Sequence, residues 1–366
     1  MSRPTIAMFL PLLEVGGAER AFLRLARGFT QRGYQVDLVL ANQSGSLIRE
    51  VPAEVNVIDL RASRVLWSIP RLAGYLRKHR PHALLATIVH ANVAAIAAKR
   101  LARVATVVAI REANTSYAER SGWLSLKYAT VDLLRTRYYA EADVIIANSQ
   151  GAAASLRTHN RLPSEKIRVI YNPVVSPELL QLAEQPLTHP WFVDTPSQVV
   201  LGTGRLTQQK DFPTLLRAFA IVRRERSVRL VIVGDGEEHA RLCALAHQLG
   251  IDQEVSLVGF DPNPYRYMRR AGVFVLSSQW EGLPNTLIEA MACGAPVVST
   301  DCPSGPREIL EDGKWGKLVP VGNSEQLAAA ILDTLDNPPA YNPAIRAADF
   351  SVERAVENYL TTLGLT

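Results

Sequence analysis

Short runs of apolar and β-branched residues alternate with longer stretches of helical periodicity along almost the whole chain. Continuous apolar runs are typical of parallel strands buried on both faces, and the longer stretches suit the helices that cross between such strands. The alternation therefore predicts an α/β fold in which helices cover both faces of parallel sheets. The predicted strands are 5–10, 35–41, 55–60, 83–88, 105–109, 144–148 and 167–171 in the first half, and 198–202, 228–233, 255–258, 273–277, 296–299 and 316–320 in the second.

The alternation of predicted strands and helices begins again at about residue 198. The stretch before it, from 172 to 197, contains five prolines and little periodicity. Prolines cluster in connections because they interrupt helices and strands alike. The 366 residues therefore predict two Rossmann-like domains. The N-terminal domain is predicted at 1–172, joined by a last helix at about 351–366, and the C-terminal domain at 173–350.

The number and spacing of the cysteines and the lengths of the apolar runs limit the class of protein. There are three cysteines, Cys243, Cys293 and Cys302. None has CxxC or His-paired spacing, which argues against a disulfide framework and against a zinc site.

The apolar run 4–13 resembles part of a signal peptide. However, Glu14 and Glu19 follow it where a small-residue cleavage site should lie, so the run is interpreted as a strand. No apolar run reaches the roughly 18–20 residues that span a bilayer. We expect a cytoplasmic protein, with any membrane contact being peripheral, at the inner face of the plasma membrane.

Charge is divided unevenly between the two halves. Residues 1–170 carry 24 Lys+Arg and 12 Asp+Glu, whereas residues 171–366 carry 16 and 23. The basic half predicts an anionic partner, and the absence of zinc-finger, RNP and basic-helix motifs argues against nucleic acid. Acidic lipid headgroups or a phosphate-bearing acceptor fit better. Two segments that mix aromatic and basic residues, 64–80 and 121–139, are predicted to contact an anionic membrane, although such segments also commonly cover a core.

The segment with the most candidate ligand-binding groups contains two glutamates, Glu281 and Glu289. It follows a predicted strand and opens a helix at about Asn285, which places it at the carboxyl edge of the sheet, where ligands of open α/β domains bind. Both carboxylates could accept hydrogen bonds from sugar and ribose hydroxyls, or they could simply complement the helix dipole. The backbone at the helix start suits a phosphate, which the N–H groups of its non-proline residues can bind: Leu283, Pro284, Asn285 and Thr286.

This segment resembles the signature of the retaining family-four glycosyltransferases. That signature is two glutamates separated by seven residues, a helix of small residues, Gly-x-Pro and a strand, here Glu281, Glu289, Gly294-Ala295-Pro296 and 297–300. The resemblance implies the GT-B fold, with two Rossmann-like domains facing each other across a cleft. It also implies that Glu281 faces the transferred hexose, that residues 284–286 meet the distal phosphate and that Glu289 holds the nucleotide ribose.

Other segments match the same family. Gly204 and Arg205 are followed by Lys210 in a loop after a predicted strand, and such cations suit a departing diphosphate, although isolated loop cations are more often solvated. Gly259 and Phe260 resemble the segment that lines the base pocket, while Phe260 could equally belong to the core. For Arg205 and Lys210 the match to the family favours the donor-binding interpretation.

Glycines also follow the first predicted strand, at Gly16 and Gly17. They lack the full GxGxxG spacing of a dinucleotide fingerprint, and we predict that they let the donor phosphates approach the backbone; the alternative is a tight turn without a ligand. His90, at the predicted end of a strand, corresponds to a family histidine near the sugar, so we predict a substrate contact. Arg111 and Asn114, after the next strand, are predicted to face the acceptor.

The resemblance therefore implies a retaining glycosyltransferase that moves a hexose or N-acetylhexosamine from a nucleotide diphosphate sugar, with UDP favoured. The acceptor is expected to be a lipid-linked or cell-surface glycan precursor. Because the sequence has no Asp-x-Asp motif, we expect no divalent metal and no other cofactor. Three alternatives stay open: a sugar-nucleotide 2-epimerase of the same fold, a glucan- or sucrose-type synthase, and a sugar-binding module without turnover.

Overall fold

The computed structural model describes residues 4–14, 16–112, 137–158, 160–194 and 199–366. The chain forms two compact units. Unit 1 consists of Met1–Pro173 together with Val352–Thr366, and unit 2 consists of Val174–Ser351. The chain therefore leaves unit 1 after Pro173 and returns to it at Val352.

Unit 1 contains a parallel sheet of seven described strands, in the order β3-β2-β1-β4-β5-β6-β7. The strands are β1 Thr5–Leu10, β2 Gln35–Leu40, β3 Asn56–Asp59, β4 Ala83–Thr87, β5 Val107–Glu112, β6 Val144–Ala147 and β7 Ile167–Val169. The described helices are α1 Gly17–Gln31, α2 Ile69–His79, α3 Val89–Ala102, α4 Gln150–Thr158 and, at the end of the chain, α14 Val352–Thr362, with 3-10 helices at Ser46–Glu50, Val65–Ser68 and Ser164–Lys166.

Both faces of this sheet are buried, because successive side chains of a strand point to opposite faces. In β1, Ala7 and Phe9 join one apolar core, and Ile6 and Met8 join the other. The second core includes α1 and α14, which approach so closely that a Cβ at Gly28 would lie 2.4 Å from Cγ2 of Val356. The C-terminal helix is thus an integral layer of unit 1.

Unit 2 contains a second parallel sheet, in the order β10-β9-β8-β11-β12-β13. Its strands are β8 Val199–Thr203, β9 Arg229–Val233, β10 Val255–Gly259, β11 Val273–Leu276, β12 Val297–Thr300 and β13 Lys317–Val319. Its described helices are α5 Pro177–Ala183, α6 Pro190–Asp194, α7 Phe212–Glu225, α8 His239–Gln248, α9 Tyr265–Met268, α10 Asn285–Ala292, α11 Pro306–Ile309, α12 Ser324–Asp336 and α13 Ala344–Ala347, with 3-10 helices at Gln208–Lys210 and Ala348–Phe350.

The predicted α/β class with parallel sheets is confirmed, and every predicted strand has a counterpart. The largest difference is β5, which extends to Glu112 instead of ending at residue 109. The stretch 172–197, predicted as an irregular connection, contains the short helices α5 and α6. Within the described ranges, no helix has both the length and the apolar character needed to cross a membrane.

Strand order reverses once in each sheet, between β1 and β4 in unit 1 and between β8 and β11 in unit 2. At such a switch point the loops that follow the two neighbouring strands lead to opposite faces of the sheet and leave a crevice between them. The loop after β8 holds Arg205 and Lys210, and the loop after β11 holds Glu281. Topology alone therefore brings these predicted site residues of unit 2 to one place.

Candidate functional site

Lys210 and Glu281 form an ion pair at the switch point of unit 2. The Lys210 Nζ donates a hydrogen bond to the Glu281 Oε1 over 2.6 Å, and the two side chains are 15% and 8% exposed. The Ser278 hydroxyl donates to the same oxygen over 2.7 Å. Because both donors use Oε1, the other carboxylate oxygen of Glu281 remains available to a ligand as far as the described residues are concerned.

The two loops that carry this pair are fixed to each other by three hydrogen bonds that backbone carbonyls accept. The N–H of Gln279 donates to the carbonyl of Gln209 over 2.8 Å, and the Gln209 side-chain amide donates to the carbonyl of Trp280 over 2.9 Å. The Ser277 hydroxyl donates to the carbonyl of Lys210 over 2.7 Å. A site held by such supporting bonds is preorganised, so little ordering is required when a ligand binds.

Glycines allow three strand ends to meet beside the pair. Gly204 has φ +148°, and a Cβ at Gly234 would lie only 1.9 Å from the Gly204 carbonyl oxygen. Gly234 in turn donates its N–H to the carbonyl of Gly259 over 2.8 Å. Next to this turn Arg205 is exposed, and no carboxylate among the described residues pairs with it. The site therefore contains one cation that is neutralised, Lys210, and one that is not.

The helix α10 begins at Asn285, as the sequence predicted. Its N-cap residue is Pro284, whose side chain cannot accept a hydrogen bond, and its first turn contains no acidic residue. The hydroxyl of Thr286 is buried without a hydrogen-bond partner among the described residues. Leu283 and Pro284 are buried, and Pro284 packs so closely on the next loop that a Cβ at Gly305 would lie 2.5 Å from its Cδ. This helix start is therefore uncapped by side chains and suits an anion.

Glu289, the second glutamate, lies four residues inside α10 and is buried. The Tyr265 hydroxyl is 3.5 Å from its Oε1. Burial, with a smaller contribution from the charge of Glu289, raises the pKa of the Cys293 thiol to about 12. The Glu289 carboxyl group is thus held inside the protein, close to Tyr265.

Two other predicted donor residues lie at the end of β10. Gly259 is its last residue and has φ +82°, a conformation that glycine adopts readily. Phe260, which follows, is 65% exposed. Of the two predicted alternatives for Phe260, a pocket wall and a core residue, the core position is excluded.

In unit 1, Gly16 is the N-cap residue of α1 and Gly17 is its first residue, at the switch point between β1 and β4. The Glu19 carboxylate lies against this turn, because a Cβ at residue 16 would be 2.2 Å from Oε2 of Glu19. A phosphate at this helix start would have to displace that carboxylate, since two anions repel each other.

His90 is placed differently from the prediction. It is the second residue of α3 and not the end of a strand, because β4 ends at Thr87 and Ile88 turns the chain with φ +74°. Positive φ is rare for a β-branched residue, so this turn is strained. The His90 side chain is exposed, yet the protein packed around it lowers its pKa by desolvation, which keeps the imidazole neutral at pH 7.

Arg111 is also placed differently from the prediction. It does not present its side chain to an acceptor but is 1% exposed. Its guanidinium donates to Asn172 Oδ1 over 2.6 Å and to Thr87 Oγ1 over 3.3 Å, so it links the end of β5 to the end of the neighbouring β4 and to the segment that follows β7. Asn114, the other predicted acceptor residue, lies outside the described residues.

Sequence reasoning missed Ser278 and Gln209. Nothing in their spacing distinguishes them from other polar loop residues. Ser278 could have been found only from its position, two residues after a buried strand and three before Glu281.

Comparison with known families covers both units. Residues 15–176 match the family model "Glycosyltransferase Family 4", and residues 189–349 match the model "Glycosyl transferases group 1". Together the two matches leave only short segments of the chain uncovered. The chain belongs to the family-four glycosyltransferases. The family predicted from the paired glutamates is thereby confirmed.

Two of the relatives of this family-four chain have names that state a function. One, from Campylobacter jejuni, is named N-acetylgalactosamine-N,N'-diacetylbacillosaminyl-diphospho-undecaprenol 4-alpha-N-acetylgalactosaminyltransferase; it is 34% identical over 199 residues, 54% of this chain and 52% of the relative. The other is the lipopolysaccharide core biosynthesis glycosyltransferase LpsE of Rhizobium meliloti, 29% identical over 321 residues, 86% of this chain and 84% of the relative. The chain spans about half the length of the first curated relatives it matches.

Solved structures show the same fold. HepE of Anabaena, crystallised with UDP and glucose, superposes with a TM-score of 0.78 over 100% of both chains at 22% identity. This likeness identifies the family-four chain as a GT-B protein, which confirms the predicted fold class.

Proposed function

We propose that the protein is a retaining glycosyltransferase. It transfers a hexose or N-acetylhexosamine from a nucleotide diphosphate sugar, with UDP-sugars favoured, to a hydroxyl of a lipid-linked or cell-surface glycan precursor. The observation that carries the proposal is the Lys210–Glu281 pair at the switch point of unit 2. In the part of the chain that the structure describes, the same unit has an arginine without a carboxylate partner, Arg205, and a helix start without a side-chain cap, at Asn285. In this proposal unit 2 binds the donor and unit 1 contributes to the acceptor side.

In the reaction, the bond between the anomeric carbon and the distal phosphate oxygen breaks, and the acceptor oxygen forms its bond on the same face. The acceptor proton passes to the departing phosphate, so no separate general base is required. Arg205, Lys210 and the first N–H groups of α10 stabilise the charge that develops on the diphosphate. The free carboxylate oxygen of Glu281 accepts a hydrogen bond from a sugar hydroxyl, and Glu289 accepts one from the ribose.

In unit 1, contacts of Gly16 and Gly17 with a phosphate and of His90 with a sugar stay predictions. The carboxylate of Glu19 lies against Gly16 and would have to move aside for a phosphate to bind there. We propose that no divalent metal takes part, so excess EDTA is expected to leave the rate of transfer unchanged.

The choice of donor and acceptor is supported by the relatives. HepE is described in complex with UDP and glucose, and the name of the Campylobacter relative specifies a diphospho-undecaprenol acceptor. A UDP donor is compatible with Phe260, whose exposed ring offers a stacking surface for a nucleotide base.

The test is a thermal-shift screen of UDP-, GDP- and ADP-sugars, because a ligand that binds only the folded state raises its stability. Each donor that binds is then incubated with water or with acceptor, and the products are identified by NMR. We expect UDP-sugars to bind and the product to retain the anomeric configuration. An inverted product, a 2-epimer of the donor, or binding without turnover would each contradict the proposal. Glu281→Gln, with an expected kcat about 100-fold lower, is the control.

A further inference from the structure

Residues 60–111 contain ten Lys or Arg and not one Asp or Glu. The segment includes the 3-10 helix Val65–Ser68 and the helices α2 and α3, and the 3-10 helix packs against α3. A basic stretch of this length has no acidic residue of its own with which to neutralise its surface. Any neutralisation must come from other parts of the chain or from a partner.

The segment divides clearly into a buried and an exposed side. Leu72, Tyr75 and Leu76 are buried in the core, so these residues do not face a membrane. In contrast, Leu66 is 49% exposed and Trp67 is 65% exposed. Leaving two adjacent large apolar side chains in water is unfavourable, and such a pair is typical of a contact surface.

Arginines surround this apolar pair. Arg64 lies with its guanidinium carbon 5.3 Å from the centre of the Trp67 ring. Arg71 donates hydrogen bonds to the carbonyls of Leu60 and Arg61, which holds it in the first turn of α2. A cation at a helix N-terminus is repelled by the helix dipole, so Arg71 does not stabilise its own helix. We call Arg61, Arg64, Leu66, Trp67 and Arg71 the arginine–tryptophan patch.

Among the described residues, no carboxylate pairs with the three arginines of the patch. The nearest acidic residue in the sequence, Asp59, accepts hydrogen bonds from the backbone N–H groups of Gln43 and Arg61 instead. The basic residues at the C-terminal end of α2, Arg77 and Lys78, have an ordinary explanation, because cations there complement the helix dipole. The patch has no such explanation.

We propose that the arginine–tryptophan patch docks the protein on an anionic lipid bilayer. Tryptophan favours the interface between lipid headgroups and acyl chains, and each arginine near an anionic membrane strengthens binding by roughly fivefold. The patch precedes α2, and His90 begins α3; both helices follow parallel strands, so the patch and His90 lie at the same edge of unit 1. Docking at this edge brings the acceptor side to the membrane, an inference that builds on the proposed lipid-linked acceptor.

The experiment is flotation of the full chain with vesicles of phosphatidylcholine alone and with phosphatidylglycerol added. We expect binding only to the anionic vesicles, with a marked loss at high salt, because the Debye length falls from about 10 Å at 0.1 M to about 3 Å at 1 M. The double variant Arg64→Gln/Arg71→Gln should bind roughly 20- to 30-fold more weakly. Leu66→Ser/Trp67→Ser should bind at least about tenfold more weakly, because it removes the apolar anchor.

Matched controls lie in unit 2. Arg217→Gln/Arg224→Gln removes the same charge from exposed positions of α7, and Ile345→Ser removes an exposed apolar side chain. Both should bind vesicles like the wild type. The docking proposal is overturned if the wild type does not float, if the patch variants float like the wild type, or if the controls lose as much binding as the patch variants.

Hydrolysis of the UDP-sugar in the absence of acceptor separates this inference from the proposed function. The patch variants should hydrolyse the donor at the wild-type rate. Their melting temperature should fall by no more than the few degrees that loss of the two Arg71 hydrogen bonds would cause. Vesicle binding without donor hydrolysis would count against the glycosyltransferase proposal alone, whereas hydrolysis without vesicle binding would count against docking alone.

Discussion

Lys210 and Glu281, 71 residues apart in the sequence, share a hydrogen bond of 2.6 Å that leaves one carboxylate oxygen of Glu281 without a donor among the described residues. The bond neutralises Lys210 and fixes the orientation of the carboxylate at the same time. Ser278 adds a second donor to the same oxygen. The pair therefore has a structural role, and the proposed reaction gives it a chemical one.

These two roles can be separated by a double-mutant cycle. Lys210→Met leaves a largely buried carboxylate without its cation, so the free energy of unfolding should fall by about 1–3 kcal/mol. Glu281→Gln should produce a loss of the same order. The double variant should recover part of the stability, with a coupling energy of about 1–2 kcal/mol, but no transferase activity. Urea unfolding and donor turnover measure the two effects, and additive losses of stability would show that the pair is not coupled.

The two glutamates should respond differently to the same substitution. Glu281→Gln should lower kcat by about 100-fold, because a neutral amide oxygen replaces the carboxylate at the reacting sugar, while UDP still binds. Glu289→Gln should chiefly weaken the binding of UDP, by roughly tenfold, because the charge-assisted hydrogen bond from the ribose becomes a weaker, neutral one. Isothermal titration with UDP and steady-state kinetics with the UDP-sugar distinguish the two. The division of roles is refuted if both variants lose UDP affinity equally.

The fold could be predicted from the sequence because each buried parallel strand is a continuous apolar run. The prediction was weakest at β5, where the apolar run ends at Ile110 while the strand continues through Arg111 and Glu112. Charged residues can end a buried strand only if distant partners satisfy them. Here Asn172 binds Arg111, and the Tyr139 hydroxyl donates to Glu112, contacts that no local pattern reveals.

The candidate site, like the fold, could be predicted only in part from local sequence. The residues Arg205, Lys210 and Glu281 were found because they match a family pattern, but their mutual geometry depends on β8 lying beside β11. Ser278 was missed because a serine next to a strand end becomes meaningful only when its partner oxygen is known. Local sequence therefore identified the reactive groups, and strand order determined which of them meet.

The exposed ring of Phe260 should contribute to binding without contributing to folding. Phe260→Ala removes a side chain that is already 65% exposed, so the free energy of unfolding should change by less than about 0.5 kcal/mol. If the ring stacks on the nucleotide base, the Kd for UDP should rise by about tenfold. Val193→Ala, at an equally exposed position, is the matched control and should leave the Kd unchanged. An unchanged Kd for Phe260→Ala would exclude stacking.

The three cysteines should differ sharply in reactivity. Cys243 is exposed, whereas Cys293 and Cys302 are buried. Burial raises the pKa of both buried thiols to about 12, with smaller contributions from Glu289 at Cys293 and from Glu281 at Cys302. Since the thiolate is the reactive form, one thiol should react rapidly with iodoacetamide at pH 8 in the native protein, and three should react in guanidinium chloride.

Mass spectrometry of the alkylated peptides identifies which thiol has reacted. Cys243→Ser is the matched control and should abolish the rapid phase while leaving the slow one. Saturating UDP-sugar should slow the alkylation of Cys293 and Cys302 further, because these residues flank the proposed donor site and a bound ligand suppresses the opening of the folded state. Rapid alkylation of Cys302 in the ligand-free protein would mean that the loop beside Glu281 is open to solvent, and the preorganised site inferred from its hydrogen bonds would then be wrong.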